Sequence, residues 1–276
     1  MRYRAIFSDI DGTLLNSEHI VTEKTAEAIR ENIGRGVLFA LTSARSPAGI
    51  RPIMQKNDFK CCMIACNGAL ILDEEGKLCY ERGLSVRETG DIVAFVEAFW
   101  PGVTWNLYTA EEWIVKSRTA PAIVREEGIV GVRAREGSVR TLDETAKIAK
   151  VLCMCSPAII EAVERTMRQR FPKYTVARSS DRLLEITQAG VNKAQAISLL
   201  CGTRNIPMEQ TLAFGDGYND LGMLKAAGQG IAMGNAPAAV RADADAVTLD
   251  NDRDGIAVFL NRNFTVGKEG GVLYND

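Results

Sequence analysis

The chain has 276 residues, of which 46% are hydrophobic and 25% charged, with a formal net charge of −2. That length is comfortable for two compact domains, and the near-neutral balance argues against a general nucleic-acid binder, which carries a basic excess. No apolar run approaches the roughly 20 residues of a membrane helix, and the run after Met1-Arg2-Tyr3-Arg4 is too short for the core of a signal peptide.

The first element is a buried strand, Ala5 to Ser8, that delivers Asp9 and Asp11 into the turn Gly12-Thr13-Leu14. Carboxylates at the end of an apolar strand are costly unless something positive pairs with them, and a hard cation such as Mg²⁺ suits oxygen ligands of this kind. Thr22 reads as the N-cap of a helix with Ala26, Ile29 and Ile33 on one face, stopped by Gly34 and Gly36. Val37 to Leu41 is a continuous apolar run, the pattern of a parallel strand buried on both faces. It ends in Thr42-Ser43-Ala44-Arg45, and Pro47 suits the first turn of the next helix. Cys62 to Cys66 is a third buried strand ending at Asn67-Gly68, and Leu70 to Leu72 with Leu78 to Tyr80 reads as a hairpin.

After about Arg82 the texture changes. Ser85 and Glu88 form a capping box for a helix to Phe99, closed by Pro101-Gly102. Strands Val103 to Tyr108 and Trp113 to Val115 follow, then strand Ile148 to Met154, helix Ala158 to Phe171, and strands Tyr174 to Ala177 and Leu183 to Ile186. This middle block has the look of an α+β module. From Gln188 the βαβ texture returns: helix Asn192 to Cys201, strand Thr211 to Phe214, the loop Gly215-Asp216-Gly217-Tyr218-Asn219-Asp220, strands Gly230 to Met233 and Ala246 to Leu249, and a helix begun by Pro237. The expected architecture is α/β: a Rossmann-like, doubly wound parallel-sheet core at residues 1–82 and 188–276, interrupted by an inserted α+β domain at residues 83–187.

Seven cysteines at irregular spacing, without a CxxC pair, read as free thiols of a reducing cytoplasm, Cys153 and Cys155 as buried ones. The single histidine, His19, lies in a polar stretch and reads as an exposed loop residue, so acid–base work falls to carboxylates or lysine. Arg45 reads as a surface charge beside a helix, and Trp100, Trp105 and Trp113 as core of the inserted block rather than a substrate platform.

Four loops fall at expected C-terminal ends of strands: Asp9 to Thr13, Ser43 to Arg45, the region of Lys193, and Gly215 to Asp220. Ligands bind at that edge in open parallel sheets, and these residues are what phosphoryl transfer asks for. Asp9 or Asp11 can be the nucleophile, Asp216 can complete a Mg²⁺ site, and Lys193 and Ser43 can hold phosphate oxygens.

Asp9-Ile10-Asp11-Gly12-Thr13-Leu14 resembles the DxDGTL motif of the haloacid dehalogenase superfamily, and Gly215 to Asp220 resembles its GDGxND motif. Gly190-Val191-Asn192-Lys193 is similar to the lysine-bearing motif, and Ser43-Ala44-Arg45 fills the remaining one. Four motifs in order, with the large insert, resemble the Cof-like subfamily with an α/β cap. The resemblance implies a Mg²⁺-dependent phosphatase of small phosphorylated metabolites, sugar phosphates or phosphorylated cofactors among them, acting through an aspartyl-phosphate. It implies Asp9 as nucleophile and Asp11 as acid–base. Mg²⁺ is then held by Asp9, the Asp11 backbone carbonyl and Asp216. Asp220 either ligates the metal through water or orients Lys193, while Ser43, Lys193 and Asn219 grip the phosphoryl oxygens. A phosphomutase and a non-catalytic metabolite-binding regulator are the alternatives on the same fold. A small phosphorylated substrate is the expected partner, with no nucleic acid and no membrane, for a cytoplasmic monomer or homodimer. Arg178, Ser179 and Ser180 are candidate selectivity residues, and hinges are expected near Glu81 to Leu84 and Glu185 to Gly190.

Overall fold

The computed structural model describes residues 3–264. The chain begins with β1 (Ala5–Ser8), α1 (Glu23–Gly34), β2 (Leu38–Thr42), α2 (Pro47–Lys56), β3 (Cys62–Ala65) and the hairpin β4 (Leu70–Leu72) to β5 (Leu78–Glu81). The middle carries β6 (Leu84–Ser85), α3 (Val86–Phe99), β7 (Thr104–Tyr108), β8 (Trp113–Val115), α4 (Pro121–Val130), β9 (Arg135–Glu136), β10 (Lys147–Ile148), β11 (Lys150–Met154), α5 (Ile160–Arg170), β12 (Tyr174–Arg178) and β13 (Leu183–Gln188). The chain then continues through α6 (Lys193–Thr203), β14 (Thr211–Gly215), α7 (Leu221–Ala226), β15 (Gln229–Ala232), α8 (Ala238–Asp243), β16 (Ala246–Val247) and α9 (Gly255–Phe264).

One sheet has the order β16-β15-β14-β1-β2-β3-β4-β5, parallel from β16 to β3 and closed by the antiparallel hairpin. Its strands are buried on both faces, which is why they read as unbroken apolar runs. Alternate residues separate the faces. Ile6, Phe39, Leu41, Leu212 and Phe214 pack with Ile29 of α1, Ile50 of α2 and Leu260 of α9. Phe7, Ala40, Cys62, Ile64 and Ala213 pack with Ile197 and Leu200 of α6 and Leu224 of α7. The sheet is therefore doubly wound, and its direction of winding reverses between β1 and β14. The carboxyl ends of those two strands form the crevice where such folds hold ligands.

The second sheet has the order β12-β13-β11-β7-β8-β9, all antiparallel except β8 with β9. Its two faces differ in kind. Trp105, Leu107, Ile114, Val151, Cys153 and Ile186 point toward α3 and α5 and bury Ile92, Val96, Val163 and Met167 with them. Register puts Thr104, Asn106, Tyr108, Trp113, Lys150, Leu152, Met154, Leu183 and Glu185 on the opposite face. That face looks toward the first sheet's crevice.

The capping box closes as expected: Ser85 Oγ accepts from Glu88 N at 3.3 Å, and Glu88 Oε2 accepts from Ser85 N at 2.9 Å. Two differences from the sequence reading stand out. The expected strand from Ile148 splits at Ala149, so Lys147–Ile148 pairs with β6 while Lys150–Met154 joins the large sheet. Helix α4 is weakly amphipathic, buries only Ile123, and left no periodic signal in the sequence. No helix among the described residues is long and apolar enough to cross a membrane.

Gly68 ties the end of β3 to the start of α6. Its φ of +103° suits glycine, and a Cβ there meets Asn192 O at 2.6 Å and Ala196 Cβ at 2.9 Å. Gly68→Ala is expected to cost about 1–3 kcal/mol, seen as a thermal unfolding midpoint several degrees lower, with the α6 N-terminus displaced.

Candidate active site

Asp9 follows β1 directly, and its backbone N–H donates to Phe214 O at 3.0 Å, so the first loop is pinned to β14. Asp216 follows β14. Gly12, at φ +82°, lets the two loops touch: a Cβ on it lies 2.4 Å from Asp216 Oδ2. Thr13 Oγ1 donates to Asp216 Oδ1 at 2.7 Å, fixing that carboxylate toward Asp9. Asp216 and Gly217 backbone N–H groups both donate to Asp220 Oδ2, at 3.1 and 2.8 Å, which folds the glycine loop around the Asp220 carboxylate.

Lys193 is the first residue of α6, whose Asn192 cap accepts from Gln195 N at 2.8 Å. The lysine is almost wholly buried and donates to Asp9 Oδ1 at 2.5 Å and Asp220 Oδ1 at 2.6 Å. An isolated buried ammonium or carboxylate is very costly, so these groups are placed for one another. Carboxylate oxygens of Asp9, Asp216 and Asp220 lie within 4.8 Å of one another. One lysine cannot balance three carboxylates. Burial, with Asp220 and Asp216 adding to it, pushes Asp9 up to about 8 against the pull of Lys193. Burial also raises Asp216, with Thr13 opposing. Burial opposes the charged form of Lys193 as well, but Asp9 and Asp220 outweigh it and hold its pKa above the ordinary lysine value. The surplus negative charge, offered by hard oxygen donors in a buried crevice, fits a divalent cation such as Mg²⁺.

Asp11 stands apart from this cluster. Its carboxylate accepts from Arg45 Nε at 2.9 Å and from a terminal Arg45 nitrogen at 2.6 Å, a bidentate pair. Arg45 is therefore part of the site and not the surface charge that the sequence suggested; its side chain is only 17% exposed. The misreading has a physical reason: arginine beside a helix start is indistinguishable from a solvated one until the Asp11 loop is brought against it. Ser43 lines the cavity, and its Oγ accepts from Arg45 N at 3.1 Å. The neighbouring Thr42 hydroxyl is buried without a hydrogen-bond partner and lines none of the cavity. Asn219 is exposed on the rim of the same cavity.

The cavity above these residues measures about 500 Å³. Its floor is Asp9, Asp11, Ser43, Asp216 and Asn219, and its roof includes Tyr108, Trp113, Lys150 and Glu185 from the second sheet. Lys150 Nζ donates to Glu185 Oε1 at 3.2 Å and to Ala44 O at 2.8 Å, while Asn67 Nδ2 donates to Glu185 Oε2 at 2.9 Å. A buried ion pair on the roof is thus hydrogen-bonded to the floor. Trp105 belongs to the interior as expected and Trp100 packs beside it, but Trp113 faces the cavity, stacked on Tyr108 at 5.7 Å. Ser179 lines the cavity too, whereas Arg178 is paired with Glu164 at 2.7 Å and lines none of it. Glu126, from α4, lines the cavity without a hydrogen-bond or ion-pair partner among the described residues; nothing in the sequence marked it. His19 is exposed, as expected, and the cysteines are free, all buried save Cys79.

Residues 6–260 match the family model of haloacid dehalogenase-like hydrolases. Phosphatase YwpJ of Bacillus subtilis is 28% identical over 92% of this chain and 97% of its own length. The 5-amino-6-(5-phospho-D-ribitylamino)uracil phosphatase YcsE of the same organism is 26% identical over 92% of this chain and 93% of its own. The crystal structure of a haloacid dehalogenase-like hydrolase from Bacteroides thetaiotaomicron superposes with a TM-score of 0.87 at 30% identity, covering 95% of this chain and 100% of that one.

Lys193→Met leaves the acidic cluster uncompensated. In metal-free buffer it is expected to lose about 3–5 kcal/mol of stability near pH 8, measured by urea unfolding. A carboxyl raised in the folded state destabilises as pH rises through the interval from 3.8 to about 8 in which only the unfolded form has lost its proton. Stability should therefore fall between pH 5 and pH 8 in both proteins, and the variant, without the opposing lysine, should go on losing it above pH 8, where its deficit widens.

Proposed function

The chain belongs to the haloacid dehalogenase-like hydrolases, and on that premise we propose that it is a Mg²⁺-dependent phosphatase of small phosphorylated metabolites acting through an aspartyl-phosphate on Asp9. The observation that carries the reading is the gathering of the Asp9, Asp216 and Asp220 carboxylates within 4.8 Å of one another at the sheet's switch point, with Lys193 bonded to Asp9 and Asp220, beneath a cavity of about 500 Å³. In this reading residues 1–82 and 188–276 form the catalytic core and residues 83–187 a cap that selects the leaving group and keeps bulk water out during phosphoryl transfer.

The Asp9 carboxylate attacks phosphorus and the bond to the leaving oxygen breaks; Asp11 supplies that oxygen's proton. Asp11 then takes a proton from water as the water oxygen attacks phosphorus and the bond to Asp9 breaks, freeing inorganic phosphate and restoring both side chains. Lys193 has three ammonium donors and uses two on Asp9 and Asp220, leaving the third for a phosphoryl oxygen. The Ser43 hydroxyl and the Asn219 amide serve the other oxygens. Mg²⁺ would be held by Asp9, Asp216 and the Asp11 backbone carbonyl, where it neutralises phosphoryl charge and aligns attack. Asp220 orients Lys193 and the glycine loop. Arg45 positions Asp11, whose two oxygens it holds.

Phosphate release from a panel of metabolite monoesters with Mg²⁺ tests the reading, with turnover expected to vanish on chelation and return on adding Mg²⁺. Asp9→Asn should abolish turnover, and Asp11→Asn should lower kcat by at least about a hundredfold with Mg²⁺ affinity retained. A hexose 1-phosphate converted to its isomer without free phosphate would overturn hydrolysis in favour of phosphomutation.

Arg45→Ala is expected to lower kcat by about tenfold while circular dichroism shows an intact fold. A loss as deep as that of Asp11→Asn would assign Arg45 a larger part than positioning.

A further inference from the structure

The roof of the active-site cavity continues past it. On β7, Tyr108 faces the first cavity while Thr104, four residues back on the same face, lines a second cavity of about 400 Å³. Their register partners on β11 repeat the arrangement: Lys150 opposite Tyr108 in the first, Met154 opposite Thr104 in the second. Four strand residues advance about 13 Å, so the two cavities form one groove along a single sheet face. Helix α4 covers both, with Glu126 and Ile129 lining each, and Leu183 shared below.

The two ends of the groove differ in charge. The near end has Asp11, Glu126 and Glu185 against Arg45 and Lys150, and both cations are already paired. The far end carries Arg125 and Arg182, neither of which makes an ion pair or a side-chain hydrogen bond among the described residues. Hydroxyls of Thr104, Ser156 and Ser180 surround them. Its single acidic residue, Glu126, stands at the junction, where a hydroxyl donor of a ligand meets it better than an anion does.

We propose that the far cavity is a subsite for a second anionic group, so that the preferred substrates are elongated, hydroxylated phosphate monoesters carrying a carboxylate or a further phosphate on the order of 10 Å from the scissile phosphorus. Arg125 and Arg182 grip the distal anion, the hydroxyls of the intervening chain face Glu126 and Ser179, and the scissile phosphate lies over Asp9. This rests on the phosphatase reading and names its substrate class. An anion at the far end gains two free cations, whereas a neutral end leaves them in water and gains nothing from them.

The test compares matched pairs: 6-phosphogluconate against glucose 6-phosphate for a carboxylate, and fructose 1,6-bisphosphate against fructose 6-phosphate for a phosphate. The wild type is expected to favour at least one anionic member by about tenfold or more in kcat/KM, mainly through KM. Arg125→Ala and Arg182→Ala, both exposed side chains, should erase that preference while changing the neutral member and p-nitrophenyl phosphate by less than about twofold. Calorimetric binding to Asp9→Asn protein reads the same contrast without turnover. Which pair shows the preference distinguishes carboxylate from phosphate. Equal treatment of both members in both pairs, or a preference that survives both substitutions, overturns the subsite. Loss of p-nitrophenyl phosphate hydrolysis in the wild type would instead strike the phosphatase reading.

Discussion

The interaction on which the rest depends is the buried contact of Lys193 with Asp9 and Asp220. It joins three segments far apart in sequence: the end of β1, the start of α6 and the glycine loop after β14. None of the three charges is tolerable alone in that crevice, so the contact constrains how β1, β14 and α6 meet. The backbone follows from this. Asp9 N–H donates to Phe214 O, the Asp216 and Gly217 N–H groups close on Asp220, and Gly12 permits an approach to Asp216 that a side chain would block. The remaining imbalance, three carboxylates against one ammonium, gives the crevice its appetite for a cation and for a phosphate brought with one.

The second sheet works by having two unlike faces. One is filled by α3 and α5 in the ordinary manner of an α+β layer. The other is left uncovered by helix except where α4 crosses, and it mixes Tyr108, Trp113 and Leu152 with Lys150 and Glu185. Such a surface is wasteful as interior and useful as the wall of a small-molecule site, where apolar area buries the ligand and a few polar groups orient it. The Lys150–Glu185 pair also reaches down to Ala44 and Asn67, so roof and floor share hydrogen bonds. Breaking those contacts exposes a buried ion pair, which favours a defined closed arrangement over a loosely hinged one.

Much of this was legible beforehand because its signals are local. Doubly buried strands announce themselves as apolar runs, the Ser85–Glu88 box and the Thr22 cap are visible as spacing, and a carboxylate at a strand end needs a partner whatever the fold. Asp9, Ser43, Lys193, Asp216 and Asp220 share the crevice floor because each sits at the carboxyl end of a strand or the start of a helix on the same sheet edge. Arg45 and Glu126 carried no such signal. A lone charge beside a helix has the same local sequence whether it faces water or a cavity.

The sequence alone determined the α/β texture with its inserted block, the carboxyl edge of the strands where the candidate loops gather, and the carboxylates and lysine those loops carry, since apolar periodicity, caps and glycine turns act over a few residues; the strand order that makes β1 and β14 the switch point came from the fold. Tertiary structure alone decided that Arg45 clamps Asp11, that Trp113 looks into the cavity while Trp105 looks away, and that a weakly amphipathic helix roofs the groove. Those outcomes depend on the phase of one sheet's alternation relative to another's, and a one-residue change in that phase reverses every side chain. No local pattern encodes it; only the packing of the two sheets across the crevice does.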